Sequence, residues 1–463
     1  MLRIFKQYYP IRNAMFVLGE GIFIYLSVII ASLALQGDVH SFFGRGISLK
    51  ALLITAICQT CLFYNDLYDL KITDSLTELG IRLLQSLGAS AIVLAVIYFI
   101  FPGCIIGRGI FIVSITIVIV MIVAWRVAYT KILSLGMFNQ KVMLLGSSDI
   151  AKEIYAQIID KKDCGYEIKS IISKGQWNVK SLSRDTNLIL KDDYSSICKI
   201  AEKEGIRKII VALKQKRGTL PVGELLACRI KGIEILEGNS FYEMLTGKLI
   251  VESMNPGWLI FSQGFQKPLY LRFLKRTGDI VISLTMLIIL LPAIAIIAVA
   301  IKLDSNGPVL FSQERIGRNR KSYMAYKFRS MRTDAEKYTG PVWARENDDR
   351  ITRIGGFMRK WRIDEIPQLW NVLKGEMSFV GPRPEREHFI EQLEEIIPYY
   401  GVRVSVKPGL TGWAQVSYGY GASVEDAIEK LNYDLFYIKN LSFLMDMMIV
   451  ARTVKTVLFG HGR

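Results

Sequence analysis

Two adjacent carboxylates, Asp364 and Glu365, stand in the stretch RIDEIPQLWNVLKGEMSFVGPRPE, and Arg383 follows near its end between Pro382 and Pro384. A carboxylate is already ionised at neutral pH, so it can attack phosphorus without a base to activate it. Pro367 comes just after the pair and fits the first turn of a helix. Backbone N–H groups and the helix dipole at such a start favour an anion such as phosphate. The flanking prolines fix the backbone at Arg383, and a fixed arginine suits transition-state charge better than a mobile one. An Asp-Glu pair alone is ordinarily surface, so the residues around it carry the argument.

Upstream, Lys302, Arg315, Arg318, Arg320, Lys321, Lys327, Arg329 and Arg332 are opposed only by Asp304 and Glu314. Arg318, Arg320 and Lys321 read as a solvated basic surface near lipid. Arg315 in QERIG, and Lys327 with Arg329 in YKFRSM, alternate with apolar residues. Alternation points to strands, from which these side chains would project toward phosphate oxygens.

The chain has 463 residues, a net charge of +16 and 51% hydrophobic residues. A basic balance suits nucleic acid, anionic lipid or a phosphorylated substrate. No nucleic-acid-binding motif is present, and the apolar runs favour lipid and phosphate. The three histidines, His40, His388 and His461, exclude a histidine-rich metal site. Any metal should be a hard cation held by oxygen, such as Mg²⁺. Cys58 and Cys61 form C-x-x-C inside an apolar run, which reads as helix packing rather than redox or zinc chemistry. No removable signal peptide is read at the N-terminus.

The elements that must position these groups begin with four apolar runs, at 15–35, 47–64, 83–101 and 110–129. Each is near the ~20 residues that a helix needs to cross a bilayer. Arg3, Lys6, Arg12, Lys71, Arg82, Arg126, Lys131 and Lys141 fall on one side, and Arg45, Lys50 and Arg108 on the other. The positive-inside rule then puts both ends of the four helices in the cytoplasm. Residues 139–260 alternate strands (KVMLLG, RKIIVAL, IEILEG) with helical patterns, which implies a parallel α/β sheet. Its first turn carries Ser148 where a dinucleotide fingerprint wants glycine, and no acidic residue ends the second strand at Ile172–Ser173. NAD is therefore not expected there, and a structural or regulatory domain is. A fifth apolar run at 280–301 holds Pro292 at its middle, where proline removes a backbone donor and kinks a helix. The leg before Pro292 is about 18 Å long, short of a bilayer core of about 30 Å. A kinked transmembrane helix and a re-entrant hairpin both fit the run.

QERIG, YKFRSM, RIDEIPQLWNVLKGEMSFVGPRPE and VKPGLTGWAQV occur in that order. With them the stretch 272–463 resembles the catalytic domain of bacterial monotopic phosphoglycosyl transferases, the polyprenyl-phosphate sugar-phosphate transferases. The whole chain is similar to the large exopolysaccharide-initiating subfamily. That resemblance implies a membrane protein in three parts. These are a four-helix transmembrane bundle (1–135), a Rossmann-like α/β domain (136–262) and an α+β catalytic domain (272–463) with a re-entrant helix at 280–301. The hairpin break falls at Leu291-Pro292, where small family members often carry Ser-Pro.

The resemblance also implies a reaction. A sugar 1-phosphate passes from a UDP-sugar to undecaprenyl phosphate, UMP leaves, and undecaprenyl-diphospho-sugar forms. Asp364 would be the nucleophile, through a phosphosugar-aspartyl intermediate. Glu365 would bind Mg²⁺, with Asp364 near it, or orient the acceptor. Arg315, Lys327, Arg329 and Arg383 would bind substrate phosphate. Lys407, Pro408, Gly409, Thr411 and Gly412 would lie on the nucleotide side. UDP-sugars are cytoplasmic, so a full fifth span would leave the site outside, and the re-entrant reading is the expected one. The expected setting is the bacterial inner membrane, multi-pass, with N-terminus and catalytic domain cytoplasmic. A homodimer and downstream glycosyltransferases are the expected partners. A single-step transfer with Asp364 as base, and a catalytically silent scaffold of polysaccharide assembly, are the rival readings.

Overall fold

Apolar side chains shape the first third of the chain in the computed structural model. The structure describes residues 2–4, 7–9, 11–36, 46–68, 76–134, 139–160, 164–173, 189–191, 194–213, 220–254, 264–265, 267–333, 350–419, 421 and 423–458. Lys6, Arg45 and Lys71 of the charge count, and the boundaries at 135–136 and 262, lie outside them. The chain divides into two compact units, Met1–Gly238 and Asn239–Arg463.

In the first unit a hairpin of β1 (Leu2–Ile4) and β2 (Gln7–Tyr9) leads into four helices. These are α1 (Ile11–Gln36), α2 (Ile47–Tyr64), α3 (Leu76–Ile100) and α4 (Arg108–Ser134). Each is long and apolar enough to cross a membrane. They bury Ile24, Val28, Leu62, Leu94 and Ile122 against one another, while Ile92, Phe99 and Ile112 stay exposed on faces suited to lipid. One ion pair is buried among them. Arg126 Nη2 lies 2.7 Å from Glu20 Oε1, and Arg126 Nη1 donates to the Leu67 carbonyl at 2.7 Å. A charge at this depth is tolerated when it is paired, and the pair ties α1 to α4 and to the turn after α2.

The same unit holds a five-stranded parallel sheet of β3 (Gln140–Leu145), β4 (Tyr166–Ile172), β5 (Ile189–Lys191), β6 (Lys208–Val211) and β7 (Glu234–Glu237). The order is β5-β4-β3-β6-β7, the doubly wound pattern that alternating strands and helices predict. The connecting helices are α5 (Asp149–Asp160), α6 (Ile197–Glu204) and α7 (Val222–Ile230). Met143, Leu145, Ile172, Ile197 and Ile209 form their core. The strand order reverses between β3 and β6, where a doubly wound sheet would seat a dinucleotide. Here the two strand ends meet directly. Gly146 has φ +114°, and a Cβ on it would lie 2.3 Å from the Ala212 carbonyl oxygen. The Ser148 hydroxyl donates to that same oxygen at 2.7 Å.

The second unit begins within α8 (Gly238–Thr246) and continues into α9 (Leu269–Asp304). Helix α9 contains the fifth apolar run but starts earlier and passes through the exposed Pro292 as a single helix. An antiparallel hairpin follows, β8 (Leu310–Ile316) with β9 (Ser322–Phe328). Next come α10 (Arg353–Lys360), a 3-10 turn (Ile363–Glu365), α11 (Gln368–Lys374) and β10 (Ser378–Val380). The chain ends with α12 (Glu387–Ile396), a 3-10 segment (Tyr400–Ser405), β11 (Gly409–Thr411), α13 (Trp413–Ser417), α14 (Val424–Asn440) and α15 (Phe443–Leu458). Leu369, Val380, Leu431, Leu435, Tyr437, Met445 and Ile449 form the core. This unit is α+β, as the motif-bearing stretch predicts.

Candidate active site

Asp364 and Glu365 are both buried, on the 3-10 turn between α10 and α11. The expected helix start is not where they sit. Pro367 caps α11, whose first helical residue is Gln368, so the acid pair lies ahead of it on a turn of its own. Arg362 creates that turn by adopting the left-handed region, φ +52° and ψ +23°. Such a conformation is uncommon for a residue with a Cβ and tends to mark a constrained site.

The two carboxylates have opposite surroundings. Arg383 Nη2 donates to Glu365 Oε1 at 2.6 Å, and Nη1 reaches Oε2 at 3.5 Å. Lys327 Nζ lies 3.6 Å and Arg362 Nη1 3.9 Å from Glu365 Oε1. Burial by itself would raise the Glu365 carboxyl, but Arg383, Lys327 and Arg362 together hold it far below the usual carboxylate range. Asp364 makes no hydrogen bond or ion pair among the described residues. Its carboxyl is pushed up, first by burial and then by the Glu365 charge, against the more distant pull of Lys327, Arg359 and Arg383. Environments that drive two neighbouring acids apart assign them different roles.

The hairpin places its cations by register. Arg315 pairs across with Tyr323, which shares a face of β9 with Lys327. From that face Lys327 reaches Glu365. Burial lowers the Lys327 ammonium and Arg383 lowers it further, with Glu365 opposing both. Arg315 instead grips the proline-flanked turn: Nη1 donates to the Pro384 carbonyl at 3.3 Å, and it lies 3.6 Å from Glu385 Oε2. Its other arm donates to Gln313 at 2.7 Å.

Arg329 does not join the cluster. The strand ends at Phe328, and the buried guanidinium turns back to donate to the Ser305 carbonyl at 2.7 Å and the Asn306 carbonyl at 2.5 Å. It fastens the turn that follows α9 rather than facing a phosphate. Arg383, expected to bind phosphate, has both arms directed at Glu365.

The stretch from Lys407 to Gly412 forms backbone scaffold. Strand β11 pairs in parallel with β10, Ser378 opposite Gly409 and Val380 opposite Thr411. Ser378 N–H donates to the Pro408 carbonyl at 2.9 Å, and Gly409 N–H to the Pro382 carbonyl at 2.8 Å. A Cβ on Gly409 would lie 2.0 Å from Gly381 N, so only glycine permits this approach. The Gly412 position is equally tight, 2.3 Å from the Gly381 carbonyl oxygen. Lys407 points toward Arg276: both cations come to within 3.5 Å of a Cβ position at Gly375. These residues hold the strand that delivers Arg383, and Pro408 lines a small cavity together with Arg383.

Sequence reasoning missed several participants. Arg362 lies inside the quoted motif, and its left-handed backbone is not readable from residue type. Arg403 and Asp434 lie outside every motif. Arg403 Nη2 donates to the Arg383 carbonyl at 3.1 Å and to Asp434 Oδ2 at 3.0 Å, while Nη1 donates to the Tyr400 hydroxyl at 2.5 Å.

Glu365 is committed to its cations, which makes it a poor Mg²⁺ ligand. No group of three metal-ligating side chains occurs among the described residues. Both Glu365 oxygens face cations, so Asp364 is the carboxylate that would be left to hold Mg²⁺, an ion commonly bound by one or two carboxylates together with substrate phosphates and water.

Five apolar helices, and a buried acid pair held by partly exposed cations, define a membrane protein with a charged site in its second unit. Residues 270–460 match the family described as bacterial sugar transferase, and residues 64–219 match one described as a CoA-binding domain. The chain is 31% identical over 352 residues to a protein of Haemophilus influenzae named as a sugar transferase, covering 71% of each. It is 40% identical over 238 residues to a UDP-N-acetylgalactosamine-undecaprenyl-phosphate N-acetylgalactosaminephosphotransferase of Aeromonas hydrophila, over 51% of this chain and 55% of that one. It is 46% identical over 189 residues to the exopolysaccharide production protein PSS of Rhizobium leguminosarum bv. phaseoli, over 39% of this chain and 93% of that one. The match spans about half the length of the Aeromonas relative. The chain belongs to the bacterial sugar transferase family.

Proposed function

We propose that this protein transfers a sugar 1-phosphate from a UDP-sugar to undecaprenyl phosphate at the cytoplasmic face of the bacterial inner membrane, releasing UMP. The split between the two acids carries the reading. Asp364 has its oxygens free of ion pairs and is made more basic by burial, which suits a nucleophile. Glu365 is fixed as an anion and holds Arg383, Lys327 and Arg362 around the pair. The positive charge gathered there would draw a diphosphate to Asp364 and stabilise charge developing on the phosphoryl oxygens. Asp364 attacks the sugar-bearing phosphorus and the bond to UMP breaks; the lipid phosphate then attacks that phosphorus, the acyl-phosphate bond breaks, and the Asp364 carboxylate is freed. The names of the Aeromonas and Rhizobium relatives support the same reaction and its use in exopolysaccharide synthesis.

Helix α9 supports a re-entrant placement. Near its start, Arg276 donates to the Val372 and Leu373 carbonyls at 2.6 and 2.7 Å. At its end, Asp304 Oδ2 accepts from Ile354 N–H at 3.2 Å. A straight helix would set those residues about 42 Å apart, more than a bilayer core of about 30 Å. Both ends are nevertheless fastened to one short stretch of the same unit. A helix crossing the core would carry its ends to opposite faces.

The deciding experiment incubates the purified protein with undecaprenyl phosphate and each of a panel of UDP-sugars. UMP and a lipid-linked sugar diphosphate are expected with at least one donor. If no donor yields UMP, the transferase reading falls and a scaffold role stands.

A further inference from the structure

We infer that Arg403, anchored by Asp434, is a positioning residue that sets Arg383 onto Glu365. The inference rests on the assignment of Arg383 to the transferase site. The segment from β10 to Arg383 is short, and helix α14 grips it at two points. Tyr437 donates to the Val380 carbonyl at 3.1 Å, and Lys275 Nζ reaches the same carbonyl at 2.9 Å. Three residues earlier on the helix, Asp434 holds Arg403, which donates to the Arg383 carbonyl. Residues three apart share a helix face, so one face of α14 fixes both ends of the segment. Flanking prolines lock φ at Pro382 and Pro384 and restrict Arg383 to extended backbone, within which its carbonyl keeps a narrower range of tilt. Arg403 removes that freedom. Its guanidinium is 8% exposed and Asp434 2%, so the bonds act away from competing water. The arms divide the work: Nη1 takes Tyr400, and Nη2 is shared between Asp434 and the Arg383 carbonyl. Lysine would keep the charge but could not reproduce this fork.

The test uses the full chain, UMP release from a donor that the unmodified protein accepts, and kcat per folded molecule. Arg403→Lys should lower kcat about 10- to 100-fold, the range seen when a partner that orients a functional ligand is removed. KM for the UDP-sugar should change little. Tyr400→Phe removes only the hydroxyl that Nη1 reaches, so it should lower kcat less and in the same direction; it decides the matter if Arg403→Lys does not fold. The discriminating comparison is made in an Arg383→Ala background. There the Tyr400 or Arg403 substitution should cost nothing further, because its effect passes through Arg383. A further loss equal to that in the unmodified background would show a merely structural role and overturn the inference. So would normal kcat in a folded single variant. Absence of UMP from the unmodified protein with every donor would instead overturn the transferase reading, and this inference with it.

Discussion

Arg383 and Glu365 meet as fork and carboxylate, with Nη2 2.6 Å from Oε1 and Nη1 3.5 Å from Oε2. The contact decides which acid of the pair stays open. Glu365 absorbs the nearest cations, and Asp364, one residue earlier, is left with unpaired oxygens. The Glu365 charge also raises the Arg383 guanidinium further above its ordinary range, so each fixes the ionised state of the other.

Arg383→Lys removes the fork while keeping the charge. By analogy with oxyanion-hole donors, loss of one such charged contact is worth about 2.7–4 kcal/mol, or roughly 10²–10³ in rate. Initial rates of UMP release should show this loss in kcat. Near-normal turnover would mean that Lys327 and Arg362 suffice to hold Glu365.

Asp434 gives a stability prediction with a definite sign. Burial raises its carboxyl to about 6, and the Arg403 attraction does not offset it. The folded state therefore binds the proton more tightly than the unfolded state, whose carboxyl titrates near ~3.9. Stability from this group is fully present below pH ~4, falls between pH ~4 and ~6, and is flat above. Asp434→Asn removes the titration. Its stability relative to the unmodified protein should improve by about 3 kcal/mol between pH 4 and 7. Denaturation in detergent across that range measures it, and a difference independent of pH would refute the assignment.

Much of this arrangement is legible in the sequence, and the exceptions have a common cause. Asp364, Glu365 and Arg383 announce themselves because their types and spacing fall in one motif, and the structure brings Glu365 and Arg383 together. Lys327 follows from strand alternation. Arg329 obeys the same alternation but sits one residue past the strand end, where its N–H still donates to the Val309 carbonyl while its side chain finds carbonyls after α9. Gly409 and Gly412, which the resemblance implies lie on the nucleotide side, pack against Gly381, a close approach that residue type alone does not reveal. Arg403 and Asp434 belong to segments far apart in the chain, and only the packing of α14 joins them. The four apolar helices and the parallel sheet were readable because hydrophobic length and period act locally.

The placement of α9 predicts a labelling pattern. Gly278 has nothing within 4 Å of a Cβ position, and Leu303 is 82% exposed, so either accepts cysteine. In a cysteine-free background, Gly278→Cys and Leu303→Cys should both react with an impermeant maleimide in inside-out vesicles. Neither should react in intact spheroplasts. Labelling of Leu303→Cys from the outer face would mean that α9 crosses the membrane.

The acid pair itself gives the most direct chemical prediction. If Asp364 attacks before the lipid binds, UMP is released without acceptor, in an amount close to one per active site. Steady-state kinetics should then be ping-pong. Asp364→Asn should abolish the half-reaction, because an amide is a far poorer nucleophile than a carboxylate. Glu365→Gln removes the charge that holds Arg383, Lys327 and Arg362 together, so it should slow both halves. It leaves Asp364 intact, and some intermediate should accumulate. A label in the sugar phosphate should stay with the denatured protein and be lost on treatment with hydroxylamine, which cleaves acyl phosphates. Formation of the labelled adduct by Asp364→Asn would place the nucleophile on another residue, and a requirement for both substrates before any UMP appears would leave the single-step mechanism with Asp364 as base.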